Sequence, residues 1–403
     1  MKIGDPIYRG AEVRLPVEVI DMIVAHVASS NHLDSQKSLR ACCLVSKTWY
    51  AASISHLYYR PHLSPRNFDL FARTICPPLK ARRARIGIEA MIKHLDLRDI
   101  AYESSNSLTS RLINRTKSSL QSFHPPAVTF SVASLAPLSK CVNLALLDMS
   151  GDRYSFTLKE LLGSIGGLEH LKSLALPKDM LCEKGQAVTG DLQWPENLTL
   201  LHAPGAICSW PRSWDTLFRT WPASLTTLRF PDCDNAHESP FSRLEICQKT
   251  ANFVQHLEIH SPPRHTPRPM AGTLYDILRV FPRLRTVTIP DDMAANTVLG
   301  LYGREAAVAA PRHLSLEALT INVTVQPSWT FQSSDQLRVE LHLSGLDMLF
   351  KPPWLRKLEI RGSFLDLNSE EKQTRLKELS ERLRERAKPD QRESSGIFLM
   401  KGP

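Results

Sequence analysis

Two histidines and a glutamate at alternate positions are the side chains of this sequence best suited to metal chemistry. They are His256, Glu258 and His260. In an extended strand these residues would share one face, with the two imidazoles ~7 Å apart. Such a set can bind zinc, but the site needs a further ligand that converges from another strand. The nearest candidates, His202 and His342, lie several predicted strands away, so a polar binding surface is the favoured interpretation.

Motifs for covalent or phosphate chemistry are absent from the sequence. It contains no Gly-x-Ser-x-Gly, no glycine-rich phosphate loop and no His-Glu-x-x-His. The 8 cysteines are scattered without a Cys-x-x-Cys. None has the neighbouring histidine and basic setting that would mark a reactive nucleophile. We therefore expect reduced thiols, no cofactor and no catalytic activity.

The composition is that of an ordinary soluble protein, with 42% hydrophobic and 23% charged residues. The net charge of +9 is spread out, apart from a cluster at Lys80, Arg82, Arg83 and Arg85. Such clusters are usually solvated surfaces, so we expect no nucleic-acid partner. The sequence has no membrane-spanning apolar run and no apolar signal core near its first residue. These features favour a cytoplasmic or nuclear protein without a membrane partner.

A repeated apolar motif organises most of the sequence. The motif is Leu-x-x-Leu-x-Leu, and its central leucines fall at Leu147, Leu174, Leu201 and Leu228, a constant step of 27 residues. Looser copies are centred on Leu95, Phe123, Leu257, Val287, Leu319, Leu341 and Leu358. The motif resembles the leucine-rich repeat, although the Asn or Cys that usually follows it is mostly replaced. An irregular repeat with uneven turns is expected.

The repeats predict an α/β fold in which a curved solenoid has parallel strands inside and helices outside. In Leu-x-Leu the two leucines point to one face of a short strand and the middle residue to the other. The middle residues and their neighbours would line the concave face, where solenoids bind extended partners. The candidate substrate-binding residues on this face are His202, Arg229, His256, Glu258, His260, His342 and Lys357.

Residues 15–59 predict three short helices. Pro16 suits the first helical position, apolar residues recur at helical spacing from Val19 to Val27, and Ser46 is a candidate N-cap for the third helix. A unit of this size cannot bury a good core alone. We therefore expect a partner to cover part of its apolar surface.

The same stretch resembles an F-box. Leu15-Pro16 at the start and Leu44-Val45-Ser46-Lys47 with Trp49 at the end carry the resemblance, and the polar insert at 29–37 is slightly long. The F-box family binds the small Skp-type adaptor of SCF ubiquitin ligases and, through it, a cullin scaffold. The resemblance implies adaptor contacts by Leu15, Pro16, Glu18, Ile20, Ile23, Val45 and Trp49.

The F-box and the repeats together predict a substrate-recognition subunit without catalytic residues. It would act by holding an unidentified target protein close to the enzyme that carries ubiquitin. Two alternatives stay open. One is a leucine-rich-repeat scaffold without a ligase role, whose N-terminal helices cap the solenoid and bury Leu15-Pro16. The other is an enzyme built on the strand at 256–260, which would contain bound metal.

The predicted organisation has five parts. We expect a leader at 1–14, the F-box at 15–59, a helical connector at 60–91, the solenoid at 92–364 and a charged helical tail at 365–403. Leucines at 376, 379 and 383 form one helical stripe in the tail. This helix would either cap the last repeat or remain free, and the end of the tail, at 390–396, is expected to be disordered.

Overall fold

The computed structural model describes the chain in fourteen ranges. These are residues 15–29, 32–77, 87–100, 106–126, 130–151, 154–177, 192–203, 221–231, 253–260, 274–290, 315–322, 355–361, 370–387 and 393–400. The predicted leader, the basic cluster at 80–85, the repeat centred on Leu341 and the candidate His342 all lie outside them. The sequence also predicts helical segments around 214–218 and 244–246, and these lie outside the described residues as well.

Three helices form the N-terminal unit, as predicted: α1 (Val17–Ser29), α2 (His32–Cys42) and α3 (Lys47–Tyr59). The Ser46 side chain accepts a hydrogen bond from the Trp49 amide and thereby caps α3. The connector contains α4 (Phe68–Ile75), where Phe68, Phe71 and Ile75 are buried.

The repeats form one open sheet of 11 parallel strands whose spatial order follows the sequence. The strands are β1 (His94–Asp96), β2 (Ser122–His124), β3 (Leu146–Asp148), β4 (Ser173–Ala175), β5 (Leu200–His202), β6 (Thr227–Phe230), β7 (His256–Ile259), β8 (Thr286–Pro290), β9 (Ala318–Asn322), β10 (Lys357–Arg361) and β11 (Gly396–Met400). The helices between them are α5 (Asn106–Thr116), α6 (Val132–Leu138), α7 (Leu158–Ile165), α8 (Leu274–Val280) and α9 (Glu370–Arg386). This solenoid-like architecture confirms the predicted fold class.

The motif leucines form the core of the solenoid. Strand register aligns their central positions in one row, for example Leu147 with Leu174, Leu174 with Leu201 and Leu201 with Leu228. Each of these leucines is at most 1% exposed. The row begins at Leu95 and Phe123 in β1 and β2, so the degenerate first repeats are strands of the same sheet. Buried side chains of α5 to α9 join the same continuous core.

A polar side chain just before the first leucine of several repeats ties adjacent turns together. Asn143 donates a hydrogen bond to the Ser118 carbonyl and Asn197 donates one to the Glu169 carbonyl, both at 2.8 Å. Ser224 and Ser315 do the same at 2.9 Å, to the carbonyls of Leu198 and Leu284. These bonds satisfy carbonyls in the turns before the strands. The missing Asn or Cys position of the repeat lies after each strand.

The tail contains an ordered cap. Leu376, Leu379 and Leu383 of α9 are 7%, 0% and 0% exposed and belong to the solenoid core. β11 pairs in parallel with β10 over five residues, from Lys357 with Gly396 to Arg361 with Met400. The tail helix therefore docks on the last repeat. The expectation of disorder at 390–396 is wrong at Gly396, because this residue begins a strand that runs to Met400.

Among the helices that the structure describes, none is both long and apolar enough to cross a membrane.

Candidate functional site: the helical unit and the strand face

The helical unit (15–59) combines a small core with a large exposed apolar surface. Ile20, Val24 and Leu39 form its core, against which Trp49 and Leu57 pack. Eight of the fourteen large apolar side chains that are exposed among the described residues belong to this unit, which makes up about a fifth of the described residues. They are Leu15, Val17, Met22, Ile23, Leu44, Val45, Tyr50 and Tyr59. A concentration of this kind marks a surface that another molecule covers.

The apolar residues of helix α1 are divided between the core of the unit and its surface. Ile20 and Val24 are one turn apart, lie on one side and are 3% and 0% exposed. Met22 and Ile23 point elsewhere and are 64% and 38% exposed. The single apolar face predicted from Val19 to Val27 is therefore split between the unit's own core and its surface.

The structure separates the predicted adaptor contacts into an exposed group and a core group. The exposed group is Leu15, Pro16, Glu18, Ile23 and Val45. Ile20 lies in the core, and Trp49 is half-buried against it. Ile20 is therefore corrected from a contact residue to a core residue, because its side chain is covered by the three helices. Leu44, which was not predicted, is 79% exposed in the turn before α3.

The helical unit joins the solenoid through the end of α3. Tyr58 stacks on Phe71 of α4, with 6.4 Å between ring centroids. Tyr59 meets His94 of β1 edge-on at 5.0 Å, and its carbonyl accepts a hydrogen bond from the Lys93 amide. Leu15, at the other end of the unit, is 45% exposed. The unit thus attaches by its last helix while its first residues face solvent.

Most predicted substrate-binding residues lie on the exposed face of the sheet. Strand register places His202, Arg229 and Glu258 in one row across β5, β6 and β7. His256 and Lys357 lie in a neighbouring row, on β7 and β10. Three strand steps separate them, a distance of ~14 Å. The predicted set is therefore spread over the face and is not one compact site.

The three residues considered for metal binding are engaged with protein groups. Glu258 pairs with Arg229, with 2.9 Å from Arg229 Nε to Glu258 Oε2. Nδ1 of His256 lies 2.7 Å from Thr286 Oγ1, and Nδ1 of His260 lies 3.2 Å from Asn322 Nδ2. Within the described ranges, no group of three histidine, cysteine or carboxylate side chains is arranged to hold a metal ion. These contacts describe a hydrogen-bonded polar surface.

A second charged group lies at the C-terminal end of the sheet. Glu359 accepts contacts from Lys357 at 2.9 Å and from Arg361 at 2.7 Å. Burial raises the pKa of the Glu359 carboxyl, but these two cations outweigh that effect and leave the pKa below its usual value. Lys357 also lies over the Phe398 ring, 5.2 Å from its centroid. The cations here are already paired within the chain.

A third charged group lies at the N-terminal end of the sheet and was missed by the sequence prediction. Arg98 binds Asp96 through two hydrogen bonds of 3.1 and 2.7 Å. His124 Nδ1 lies 3.1 Å from Asp148 Oδ2. Burial raises the pKa of Asp148, yet the hydrogen bonds from His124 and Ser150 hold it well below its ordinary range. Continuing the row of Asp148 upstream into the first two repeats would have identified Asp96 and His124.

A pocket lies beside this group, and we call it the N-terminal pocket. Its volume is about 640 Å³, within the range typical of ligand sites. Its walls come from β1, β2, β3, the turn before β4 and the residue that follows α3. The lining residues are Arg60, His94, Leu95, Asp96, Gln121, Ser122, His124, Asn143, Ala145, Leu146, His170 and Lys172.

Ser122, His124 and Asp148 contact one another in the same sequence of contacts as a hydrolase triad. The groups around them differ from those of a hydrolase site. Ser122 Oγ is 3.5 Å from His124 Nε2, the limit of a hydrogen bond. A nucleophile of this kind needs free backbone amides to stabilise an oxyanion. The amides of Gln121 and Ser122 both donate to the Lys93 carbonyl instead. The arrangement therefore orients His124, and these two amides are not available to an oxyanion.

The described cysteines also have the character of structural thiols. Burial raises the pKa of Cys76, and it raises the pKa of Cys141 to about 12. The pKa of Cys43 is raised by burial and by Cys42. Raised pKa values keep these side chains protonated and therefore weakly nucleophilic.

Two curated fungal proteins are similar to this chain, although no protein-family model matches it. The F-box protein YDR306C of Saccharomyces cerevisiae is 32% identical over 221 residues, 54% of this chain and 43% of the yeast protein. Protein pof5 of Schizosaccharomyces pombe is 24% identical over 283 residues, 70% of this chain and 75% of pof5. The match thus spans less than half the length of the Saccharomyces cerevisiae protein.

One similar solved structure is the leucine-rich-repeat-containing protein LegL7 from Legionella pneumophila. Its TM-score is 0.44 at 14% identity, over 76% of this chain and 89% of LegL7. The fold assignment itself rests on the strand register of this chain. The fungal relatives and the repeats confirm the resemblance to an F-box protein with leucine-rich-repeat-like units, which indicates a protein-interaction role.

Proposed function

We propose that this chain is the substrate-recognition subunit of an SCF-type ubiquitin ligase. In this role the helical unit docks on a Skp-type adaptor, which connects it to a cullin scaffold. The exposed strand face of the solenoid holds a target protein. The chain contributes no reactive group, because proximity between target and ubiquitin-charged enzyme is sufficient to accelerate transfer.

The exposed apolar surface of the helical unit carries this proposal. Leu15, Met22, Leu44 and Val45 are 45%, 64%, 79% and 64% exposed in a unit that has its own separate core. Burying a side chain of this kind in an interface contributes about 1.5–3 kcal/mol. Covering several of them against a partner would therefore supply substantial binding energy.

The attachment of the unit favours the ligase role over a scaffold with a helical cap. A cap would bury its first residues against the first repeat. Instead, Leu15 and Pro16 are exposed, and the contacts with the solenoid come from Tyr58 and Tyr59 at the opposite end. This geometry leaves the F-box-like start of the unit open to an adaptor.

A pull-down with purified Skp-type adaptor tests the proposal. We expect the intact chain to bind the adaptor and the variant Val45→Asp to lose at least tenfold in affinity, because a carboxylate would be buried in an apolar interface. Val142→Asp is the matched control, since Val142 has the same side chain and is 59% exposed, but lies on the solenoid. Its affinity should equal that of the unchanged chain.

Two results would contradict the proposal. The first is an intact, folded chain that does not bind the adaptor, which would leave a leucine-rich-repeat scaffold without a ligase role. The second is equal binding by Val45→Asp and Val142→Asp, which would mean that the helical unit is not the docking surface. Circular dichroism of both variants confirms that a difference in binding does not come from unfolding.

A further inference from the structure

We propose that the N-terminal pocket binds an anionic group, a carboxylate or a phosphate, on the target polypeptide. This inference rests on the proposed function, since it assigns the chemistry of a target held by the solenoid. It also places the anchor point of the target at the end of the strand face nearest to the helical unit.

The charges around the pocket favour an anion. Arg60 and Lys172 line it, and Asp96 is the one carboxyl among its described lining residues. That carboxyl is already neutralised by the bidentate contact with Arg98. The side chain of Lys172 is exposed and makes no ion pair within the described part of the chain. An incoming anion would therefore meet an unpaired ammonium group rather than a repelling carboxylate.

Two positive groups also act on His94. Its pKa is lowered by burial first, and then by the positive charges of Arg60 and His124. Charges that disfavour a proton on His94 attract a negative group at the same place. His94 and His170 line the pocket and offer imidazole donors to an anion, whereas both ring nitrogens of His124 already contact Asp148 and Ser122.

Uncharged donors complete the pocket. Ser122 and Gln121 also line the pocket, and their side chains carry a hydroxyl and a carboxamide donor. Phosphate and carboxylate oxygens accept several hydrogen bonds at once, and bonds to ionised acceptors are stronger than neutral ones. The pocket thus offers both a positive potential and convergent donors.

The other cations described on the strand face are less suited to this task. Arg229 is paired with Glu258 at 2.9 Å. Lys357 and Arg361 share Glu359, and Lys357 also contacts the Phe398 ring. An anion bound there would compete with an existing internal carboxylate. Lys172 has no such competitor within the described residues, which singles out the N-terminal pocket.

Pools of random peptides test the inference for a target whose sequence is unidentified. Four fluorescein-labelled pools carry phosphoserine, glutamate, serine or lysine at a fixed central position. Their affinities for the full-length chain are measured by fluorescence anisotropy at physiological ionic strength. We expect the phosphoserine pool, the glutamate pool or both to bind at least about tenfold more tightly than the serine and lysine pools.

Charge reversal of Lys172 locates the binding. Lys172→Glu should weaken the favoured pool about tenfold. Lys140→Glu is the control, because Lys140 is an exposed lysine of the same solenoid that does not line the pocket. It should leave the affinity unchanged, which also excludes an effect of net charge alone.

The outcomes separate the sources of the anion and the two proposals. Preference for the phosphoserine pool indicates a phosphorylated target, and preference for the glutamate pool indicates an acidic one. Equal binding of all four pools, or equal binding by the two lysine variants, would overturn the pocket assignment. Adaptor binding is measured on the same preparations. If the chain binds the adaptor but the peptide results are negative, only the pocket inference has failed. If the intact chain does not bind the adaptor, the proposed function has failed.

Discussion

The helical unit and the solenoid use the same apolar residue types in opposite ways. In the solenoid, the motif leucines from Leu147 to Leu228 are at most 1% exposed and form a core that runs through the whole sheet. In the helical unit, three buried residues form the core, while Met22, Leu44 and Val45 remain 64% or more exposed. Both regions are rich in Leu, Val and Ile, so composition does not distinguish them.

The difference shows which surface of each region is available to a partner. A repeat buries its apolar face against its two neighbours and displays polar side chains on the strand face. The three-helix unit has no neighbour of this kind among the described residues, apart from the contacts at the end of α3. It is therefore the apolar surface of the unit, and the polar surface of the solenoid, that can bind other proteins.

Truncating one leucine in each region should give the largest difference. Leu174→Ala removes a fully buried side chain at the centre of the sheet, and we expect a loss of about 2–5 kcal/mol in the free energy of unfolding. Leu44→Ala removes a side chain that is 79% exposed, and the expected change is within about 0.5 kcal/mol. Urea denaturation followed by circular dichroism measures both.

When adaptor binding is measured in place of stability, Leu44→Ala should have the larger effect of the two variants. Leu44→Ala should weaken binding although it leaves the fold intact, whereas Leu174→Ala, at a temperature where it remains folded, should bind normally. A strongly destabilising effect of Leu44→Ala would mean that its side chain is covered within the chain. The comparison between the two regions would then fail.

Acid should weaken the solenoid by a smaller amount. Hydrogen bonds hold the pKa values of Asp96, Asp148 and Glu359 below their ordinary values, against the opposing effect of burial. Carboxyls with lowered pKa values in the folded state stabilise it above their unfolded pKa of about 4, and this contribution is lost as the pH falls further. The free energy of unfolding should therefore decrease below about pH 5.

The variant Asp148→Asn tests the origin of this acid sensitivity. It should be less stable than the unchanged chain at neutral pH and should lose less stability between about pH 5 and pH 3. Glu169→Gln is the control, since Glu169 is an exposed carboxyl on a turn of the same solenoid. If the two variants show the same pH dependence, the paired carboxyls of the strand face do not cause the effect.

The repeat could be predicted from sequence because one physical requirement produces both its spacing and its structure. Each unit must place a leucine against the next one, so a 27-residue step in sequence becomes a row of paired strands in space. The cap was not decided by the sequence. The stripe from Leu376 to Leu383 indicates an amphipathic helix, but its period does not say what covers it. The strand at 396–400 follows a polar segment and has no recognisable repeat.

The candidate sites were predicted less completely, for two different reasons. In α1 the apolar residues fall on a broad arc, and sequence spacing cannot show that Ile20 lies in the core while Ile23 is exposed. On the strand face the predicted residues begin at His202, so they omit Asp96 and His124 in the degenerate first repeats. The N-terminal pocket also needs Arg60, which precedes the repeats and comes close to them only because α3 ends beside β1.

Helix caps give the smallest and most local comparison between the two regions. Thr157 caps α7 in the solenoid with a reciprocal capping box, in which its amide donates to Glu160 Oε2 at 2.7 Å. Ser46 caps α3 in the helical unit with one bond from the Trp49 amide at 3.3 Å. Each change to alanine should cost about 0.5–2 kcal/mol, with Thr157→Ala the larger.

Hydrogen exchange distinguishes the loss of the Ser46 cap from the loss of the Thr157 cap, because losing a cap increases exchange first in the adjacent helical turn. Ser46→Ala should accelerate exchange at the start of α3 and leave the solenoid strands protected, since the unit has its own core. Thr157→Ala should act on α7, whose Leu161 and Leu162 belong to the continuous core, and should therefore lower protection in β3 and β4 as well. Ser131→Ala is the control, because the Ser131 side chain makes no capping bond to α6. If Ser46→Ala lowered hydrogen-exchange protection in the solenoid strands as much as Thr157→Ala, the helical unit and the solenoid would unfold together. Their two cores would then not differ in stability.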